Sequence, residues 1–273
     1  MAHIIGIDVG GSTTKIVGMR DGTLLSPLLV TAADPVTSLF GAFGKYIYDN
    51  GVALSDIDQV MLTGVGSVDI DTPIYGLPTR KADEFVADGL GARYDSGLQQ
   101  LIVVSMGTGT TLVRVEGDKI AHIGGLGMGG GTLQGLAQLL LGTSDVGRVV
   151  ELAANGNLDN INLQIKDICA THLEGLPLHA TASLFGKARQ SGASESDIAK
   201  GLICMVLETI GSCAVLSQSG GGIQDFVLTG NLTRLPECRM IFPMMEDLYG
   251  VRFHIPDNAE FCTALGAALA FDY

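Results

Sequence analysis

The chain has no tryptophan, and charged residues fill only 16% of its 273 positions. Low charge combined with 47% apolar residues excludes a disordered chain and leaves a globular one, long enough to bury one large core or two smaller ones. Basic residues are the scarcer sign: 16 Lys and Arg against 29 Asp and Glu give a formal net charge of −13. That deficit excludes a nucleic-acid partner, whose phosphates need clustered Lys and Arg. It does not exclude a bound nucleotide, because a few backbone amides hold phosphate within an acidic protein. The cysteines, Cys169, Cys204, Cys213, Cys238 and Cys262, are odd in number and free of CxxC spacing, which leaves reduced thiols rather than a zinc site or disulfide framework. No apolar run approaches the roughly 20 residues of a membrane span. Residues 1–9 carry no basic region or cleavage site of a signal peptide, so the expectation is a cytoplasmic protein with no membrane partner.

Glycine is the excess. Its 38 residues are about twice the usual share of roughly 7%, and they cluster between apolar runs, where backbone must approach something closely. The runs themselves occur in two similar series. The first comprises strands over Ile4–Val9, Thr14–Met19 and Leu24–Thr31, a helix over Pro35–Tyr48 and a strand over Gln59–Thr63, with Asp21-Gly22 as a hairpin signal. The second has strands over Leu101–Ser105, Thr111–Glu116 and Lys119–Ile123, then a helix over Gly131–Leu141. A long helix over Ser196–Ser217, strands over Asp225–Thr229 and Val251–Ile255, and a final helix follow. A doubly wound Rossmann sheet would send its first strand directly into a helix, whereas Thr14–Met19 reads as a returning strand. The pattern predicts an α/β chain with a duplicated actin-like (ribonuclease H-like) ATPase fold. Its two lobes, 1–95 and 96–273, would hold a nucleotide cleft between them.

Three glycine-rich turns carry the chemistry. In the first, Asp8 ends a hydrophobic strand, where a carboxylate needs a partner, and Val9, Gly10, Gly11, Ser12, Thr13, Thr14 and Lys15 follow. Asp8 can order a Mg²⁺ ion or its waters while amides and hydroxyls cradle the phosphates of ATP. The stretch is neither a Walker A loop nor GxGxxG. The turn Met106–Thr111 lies at the equivalent point of the second half. The third cluster, Gly124–Thr132, has six glycines in its first eight residues and opens a helix, where amides and the positive dipole end gather. The turn after the late strand, Thr229-Gly230-Asn231, is positioned to reach the adenosine, or to serve as a plain turn.

Together these elements resemble the type II pantothenate kinases, of the acetate and sugar kinase, heat-shock chaperone and actin superfamily. The resemblance rests on Gly6–Gly11, the turn from Gly107 to Thr110, the glycine cluster ending at Gly131, and Gln134-Gly135-Leu136 behind it. It implies an ATP-dependent, cytoplasmic, homodimeric enzyme that phosphorylates pantothenate in the first step of coenzyme A synthesis. The residues alone leave Asp83, Glu84 and Asp88 open as the carboxylate that accepts the hydroxyl proton; the resemblance selects Glu84. It further implies ATP contacts from Thr108, Gly130, Gly131, Thr132, Leu133 and Gln134, and a pantothenate pocket lined by Thr108 and Thr111 beside Glu84. One position departs from the family: His122 stands where an arginine usually meets the pantothenate carboxylate, so Arg80, Lys81, Arg93 or Arg114 would have to compensate, or the alcohol differs. The alternatives are a sugar or amino-sugar kinase, an activator of a radical dehydratase, and a non-catalytic ATP-dependent switch. The zinc motif, iron–sulfur cysteine spacing and helix-turn-helix extension that go with those classes have no counterpart here.

Overall fold

The first apolar run forms strand β1 (His3–Val9), buried along its whole length, and the chain then folds back as β2 (Thr13–Arg20). The computed structural model describes residues 2–11, 13–31, 34–169, 175–190, 192–218 and 222–273. The single third strand expected over Leu24–Thr31 is two, β3 (Thr23–Leu24) and β4 (Leu28–Thr31), both paired with β2. Pro27 explains the break, since it has no N–H to donate to a ladder. Helix α1 (Pro35–Asn50) is capped by Asp34, which accepts from Thr37 N at 2.7 Å, and ends on a left-handed Gly51. Strands β5 (Gln59–Thr63) and β6 (Thr79–Lys81) complete the first sheet, and α2 (Glu84–Ser96) leaves it.

The second series repeats this plan. Strands β7 (Gln100–Met106), β8 (Thr110–Glu116) and β9 (Lys119–Leu126) form a meander that continues past the expected Ile123 into the glycine cluster. Helices α3 (Gly130–Leu141) and α4 (Val146–Ala153) follow, then a short hairpin of β10 (Leu163–Gln164) and β11 (Thr181–Ser183) with α5 (Ile165–Ile168) between them. Helix α6 (Glu195–Leu216) leads into β12 (Asp225–Thr229), α7 (Cys238–Tyr249), β13 (Arg252–His254) and α8 (Cys262–Leu269). The first sheet runs β3-β2-β1-β5-β6 and the second β13-β12-β7-β8-β9. Read from the meander inward, the two have the same order and the same strand directions: antiparallel hairpins, then two parallel additions.

Each sheet is covered on both faces. Helix α1 packs Leu39, Phe43 and Tyr46 onto Ile5, Ile7 and Ile16 of the first sheet, while α8 covers the other face through Ala264, Leu265 and Ala268. On the second sheet α6 packs over Ile102, Val104 and Phe226, and α2 meets the opposite face at Ala92. Helix α6 is long and apolar enough to cross a membrane by length and composition, contrary to the expectation that no apolar run approaches that length. Leu202, Ile203, Val206, Leu207 and Ile210 are nonetheless buried within the chain itself, which accounts for its apolarity.

The helices that leave each sheet exchange partners. Helix α2 follows the first sheet yet lies on the second, and α8 follows the second yet lies on the first, so the two cross between the lobes. Their backbones touch. A methyl added at Gly266 would overlap the Ala87 carbonyl, one at Gly91 the Cys262 carbonyl, and one at Gly6 the Ala264 carbonyl. Gly266→Ala is therefore expected to lower stability by about 1–3 kcal/mol in urea titration, the range for overpacking a closed core. Gly41→Ala, where an added methyl meets nothing within 4 Å on α1, should raise it by about 0.5–1 kcal/mol.

Candidate active site

The cleft between the lobes opens at the strand ends. In the first hairpin Asp8 and Lys15 are cross-strand partners, with Lys15 Nζ 3.6 Å from Asp8 Oδ2 and both side chains nearly buried. Burial raises the Asp8 carboxyl above its ordinary range, and the Lys15 ammonium opposes that rise. Gly10 N closes the turn onto Thr13 O at 2.9 Å. Alternation along β2 turns Thr13 and Lys15 to the cleft and Thr14 away from it: Thr14 Oγ1 accepts from Ser38 Oγ at 2.7 Å in the core. Val9 is likewise buried in the core of the first lobe. Ser12 lies outside the described residues.

At the second hairpin the glycine cluster packs as well as offering amides. The first amides of α3 are not all free: Gly130 N donates to Gly107 O at 2.8 Å and Gly131 N to Thr108 O at 2.9 Å. The helix start is docked on the β7–β8 turn, and only glycine permits it. An added methyl at Gly129 would come within 2.5 Å of Thr108 O, and one at Gly131 within 2.9 Å of Thr108 Cγ2. Thr110 Oγ1 and Thr132 Oγ1 donate to Met128 O and Gly127 O, tightening the same corner, and Leu133 enters the core. Gly130, Gly131 and Gln134 remain on the wall of the cleft, beside Thr108.

Two further loops pass directly over the hairpins. After β5, Gly64 has φ 86° and leaves no room for a side chain, since a methyl would sit 2.5 Å from Asp8 Oδ1 and from Val9 O. After β12, Gly230 has φ 87°, and a methyl would sit 2.5 Å from Met106 O. The second loop is the one expected at Thr229-Gly230-Asn231, whereas the first was not expected. The signal was present, because Leu62-Thr63-Gly64 recurs as Leu228-Thr229-Gly230. Asn231 spans the lobes, its Nδ2 donating to Thr13 Oγ1 at 3.4 Å, while its buried Oδ1 has no hydrogen-bond partner among the described residues. An orphaned acceptor there is a place for a ligand's donor.

Of the three carboxylates left open by the sequence, Asp83 is occupied in capping α2, accepting from Phe85 N and Val86 N at 2.9 and 3.0 Å. Asp88 is buried against Thr263. Glu84 lines a cavity of about 470 Å³ with Asp8, Lys15, Thr108 and Thr111. Burial raises its carboxyl, Asp8 and Asp83 raise it further, and Lys15 opposes them. Ser105 and Thr263 also face this space and were not foreseen. A second cavity, of about 690 Å³, shares Thr13, Gly107, Thr108 and Asn231 with the first and continues toward Gln134 and the start of α4. His122 lines neither cavity. Its ring is stacked on Phe85, with centroids 4.1 Å apart and planes within 11°. Arg93, Arg114 and Lys81 are engaged with Asp118, Gln218 and Asp71, and with Arg80 they stay outside both cavities.

The family model described as Fumble matches residues 92–242. The type II pantothenate kinase of Bacillus cereus (strain G9842) is 27% identical over 239 residues, 85% of this chain and 84% of that protein. That of Staphylococcus haemolyticus is 26% identical over 273 residues, 96% of this chain and 98% of the relative. Among solved structures, an activator of the 2-hydroxyisocaproyl-CoA dehydratase from Clostridium difficile with bound ADPNP superimposes with a TM-score of 0.69 at 18% identity, over 99% of this chain and 94% of that one. A ROK family glucokinase from Streptomyces griseus in complex with glucose and AMPPNP does so with a TM-score of 0.60 at 15% identity, over 98% and 99%. These neighbours bear out the fold expected from the sequence, a duplicated α/β actin-like ATPase fold, and the relatives bear out the resemblance.

The loops after β5 and β12 make a test of the geometry. Gly64→Ala and Gly230→Ala each force a side chain into a backbone region reserved for glycine, and each should cost about 1–3 kcal/mol in denaturant unfolding.

Proposed function

We propose that this chain, which belongs to the Fumble family, transfers the γ-phosphate of ATP to the primary hydroxyl of pantothenate, giving 4′-phosphopantothenate on the route to coenzyme A. The relatives named type II pantothenate kinase, matched along nearly the whole chain, support the acceptor. The observation that carries the reaction is Glu84, a carboxyl in the same cavity as the Asp8 hairpin and the hydroxyls of Thr108 and Thr111. Phosphoryl transfer to an alcohol needs one group to take the hydroxyl proton while others hold the phosphates in line. The raised Glu84 carboxyl is a stronger base than an ordinary glutamate and suits the first role. Gly10, Gly11, Thr13 and Lys15 from the first hairpin and Thr108 from the second would hold the phosphates, Lys15 supplying positive charge.

The adjoining cavity, with Gly130, Gly131, Gln134 and Asn231 on its wall, has room for the nucleoside, and the orphaned Asn231 Oδ1 would accept from it. Among the described residues no group of three His, Cys, Asp or Glu gathers to hold a metal. The donor set fits Mg²⁺ carried by the nucleotide, for which Asp8 would supply one carboxylate or order the waters, since Mg²⁺ keeps several waters and takes few protein ligands. Bound there, the ion would neutralise phosphate charge. His122 lies outside both cavities, braced on Phe85 next to Glu84, and would meet the acceptor's carboxylate only where the acceptor extends out of the Glu84 cavity.

Purified protein with Mg-ATP should release ADP only when pantothenate is added; turnover on a sugar instead, or release independent of acceptor, would sink the assignment. Glu84→Gln should lower kcat by roughly 10²–10⁴-fold, the usual contribution of a general base, while ATP still binds. Because Glu84 must be ionised to accept a proton and its pKa is raised, kcat/KM should fall on the acid side at a higher pH than an ordinary glutamate would give.

A further inference from the structure

Asp88 stands one helical turn after Glu84 on α2, and only 2% of it is exposed. Its Oδ1 accepts a hydrogen bond from Thr263 Oγ1 at 2.6 Å, and the Ser105 hydroxyl is close enough to help hold the carboxyl ionised. Both hydroxyl residues line the cavity that holds Glu84, Ser105 from the end of β7 and Thr263 from the first turn of α8. A buried carboxyl thus lies behind the cleft floor and holds one hydroxyl from each side of it. The ionisable groups around it are Glu84 on its own helix, Asp8 from β1, Lys15 from β2 and the Cys262 thiol from α8. The ammonium of Lys15, 3.6 Å from Asp8, is the only positive charge within this group, and it opposes the rise of the Asp8 and Glu84 carboxyls. Burial, with Glu84 and Asp8 adding to it, pushes the Asp88 carboxyl up to about 7, against the pull of the Thr263 and Ser105 hydrogen bonds.

We propose that Asp88 is a positioning residue whose proton decides which way the Ser105 hydroxyl donates. A carboxylate only accepts hydrogen bonds, whereas a carboxylic acid has one O–H to give. Ionised, Asp88 draws the protons of both Ser105 and Thr263 onto itself and adds a third negative charge beside Glu84 and Asp8. Protonated, it accepts from Thr263 and donates to Ser105 Oγ, so the Ser105 proton turns outward to an oxygen in the cleft, of the acceptor or of a phosphate. The protonated form is the one matched to an anionic substrate. This inference rests on reading the cavity as a phosphoryl-transfer site.

Asp88→Asn is a fixed copy of the protonated state, its Oδ1 accepting from Thr263 and its amide donating to Ser105. In the wild-type protein kcat/KM for the acceptor should fall as pH rises through about 7, and in Asp88→Asn that fall should be absent. The same fall in both proteins, or a folded Asp88→Asn inactive at every pH, overturns the proposal. Thr263→Val removes a donor that favours the ionised form, so it should move the fall to higher pH; an unmoved or lowered midpoint overturns it. One readout is independent of turnover. In ¹³C NMR of the ligand-free protein labelled at aspartate carboxyls, the resonance missing from Asp88→Asn should titrate near 7, and titration in the ordinary aspartate range overturns the proposal. A wild-type protein that phosphorylates no acceptor would instead sink the reading of the cavity and leave the NMR result to decide on Asp88.

Discussion

The backbone contact between α2 and α8 is the constraint on which the rest of the molecule depends. Each helix belongs by sequence to one lobe and packs on the sheet of the other, so the distance between their axes sets the distance between the sheets. Gly91 and Gly266 let that distance shrink until carbonyls of one helix touch α-carbons of the other, and Gly6 brings α8 equally close to β1. Close packing of this kind transmits displacement rather than absorbing it. The carboxylates of the cleft are anchored to the same crossing: Glu84 and Asp88 ride on α2, Thr263 on α8, and Asp8 ends the strand that α8 covers. Geometry at the reacting end therefore inherits its precision from three positions that carry no side chain.

Much of the fold was legible because it follows from short-range chemistry. Apolar runs of strand length, hairpin signals at Asp21-Gly22 and Gly117-Asp118, and the order of elements repeated between the halves are enough for the strands of both sheets except β6 and the break between β3 and β4. The errors have local causes too. Pro27 splits a strand that otherwise has the right composition, and scattered polar residues mask the overall apolarity of α6, although its bounds were expected to within one residue.

The site was legible in outline, and its limits show what a glycine can say on its own. A glycine signals that a methyl would meet something without naming what. At Gly129 and Gly131 the obstacle is the neighbouring turn of the same lobe, and at Gly64 it is Asp8 itself, so a cluster read as an offer of amides is in large part a packing device. Thr14 illustrates a different loss. Alternation in β2 would have separated it from Thr13 and Lys15, had the strand's register been carried into the turn. Asp88 was visible as one of three acids, but its meaning depends on Thr263, 175 residues away in the chain, and no local pattern links them.

The duplicated topology leads to one more conclusion. Strand register pairs Asp8 with Thr63 and with Lys15 in the first lobe, and Ser105 with Thr229 and with Thr111 in the second. Asp8 and Ser105 are thus the same position in two copies of one design, as are Lys15 and Thr111. The scaffold is symmetric where it builds the cleft and asymmetric where it charges it, with an ion pair on one wall and two hydroxyls on the other. A substrate entering this space meets a direction, and that polarity comes from the divergence of two residues between halves that otherwise superimpose in plan.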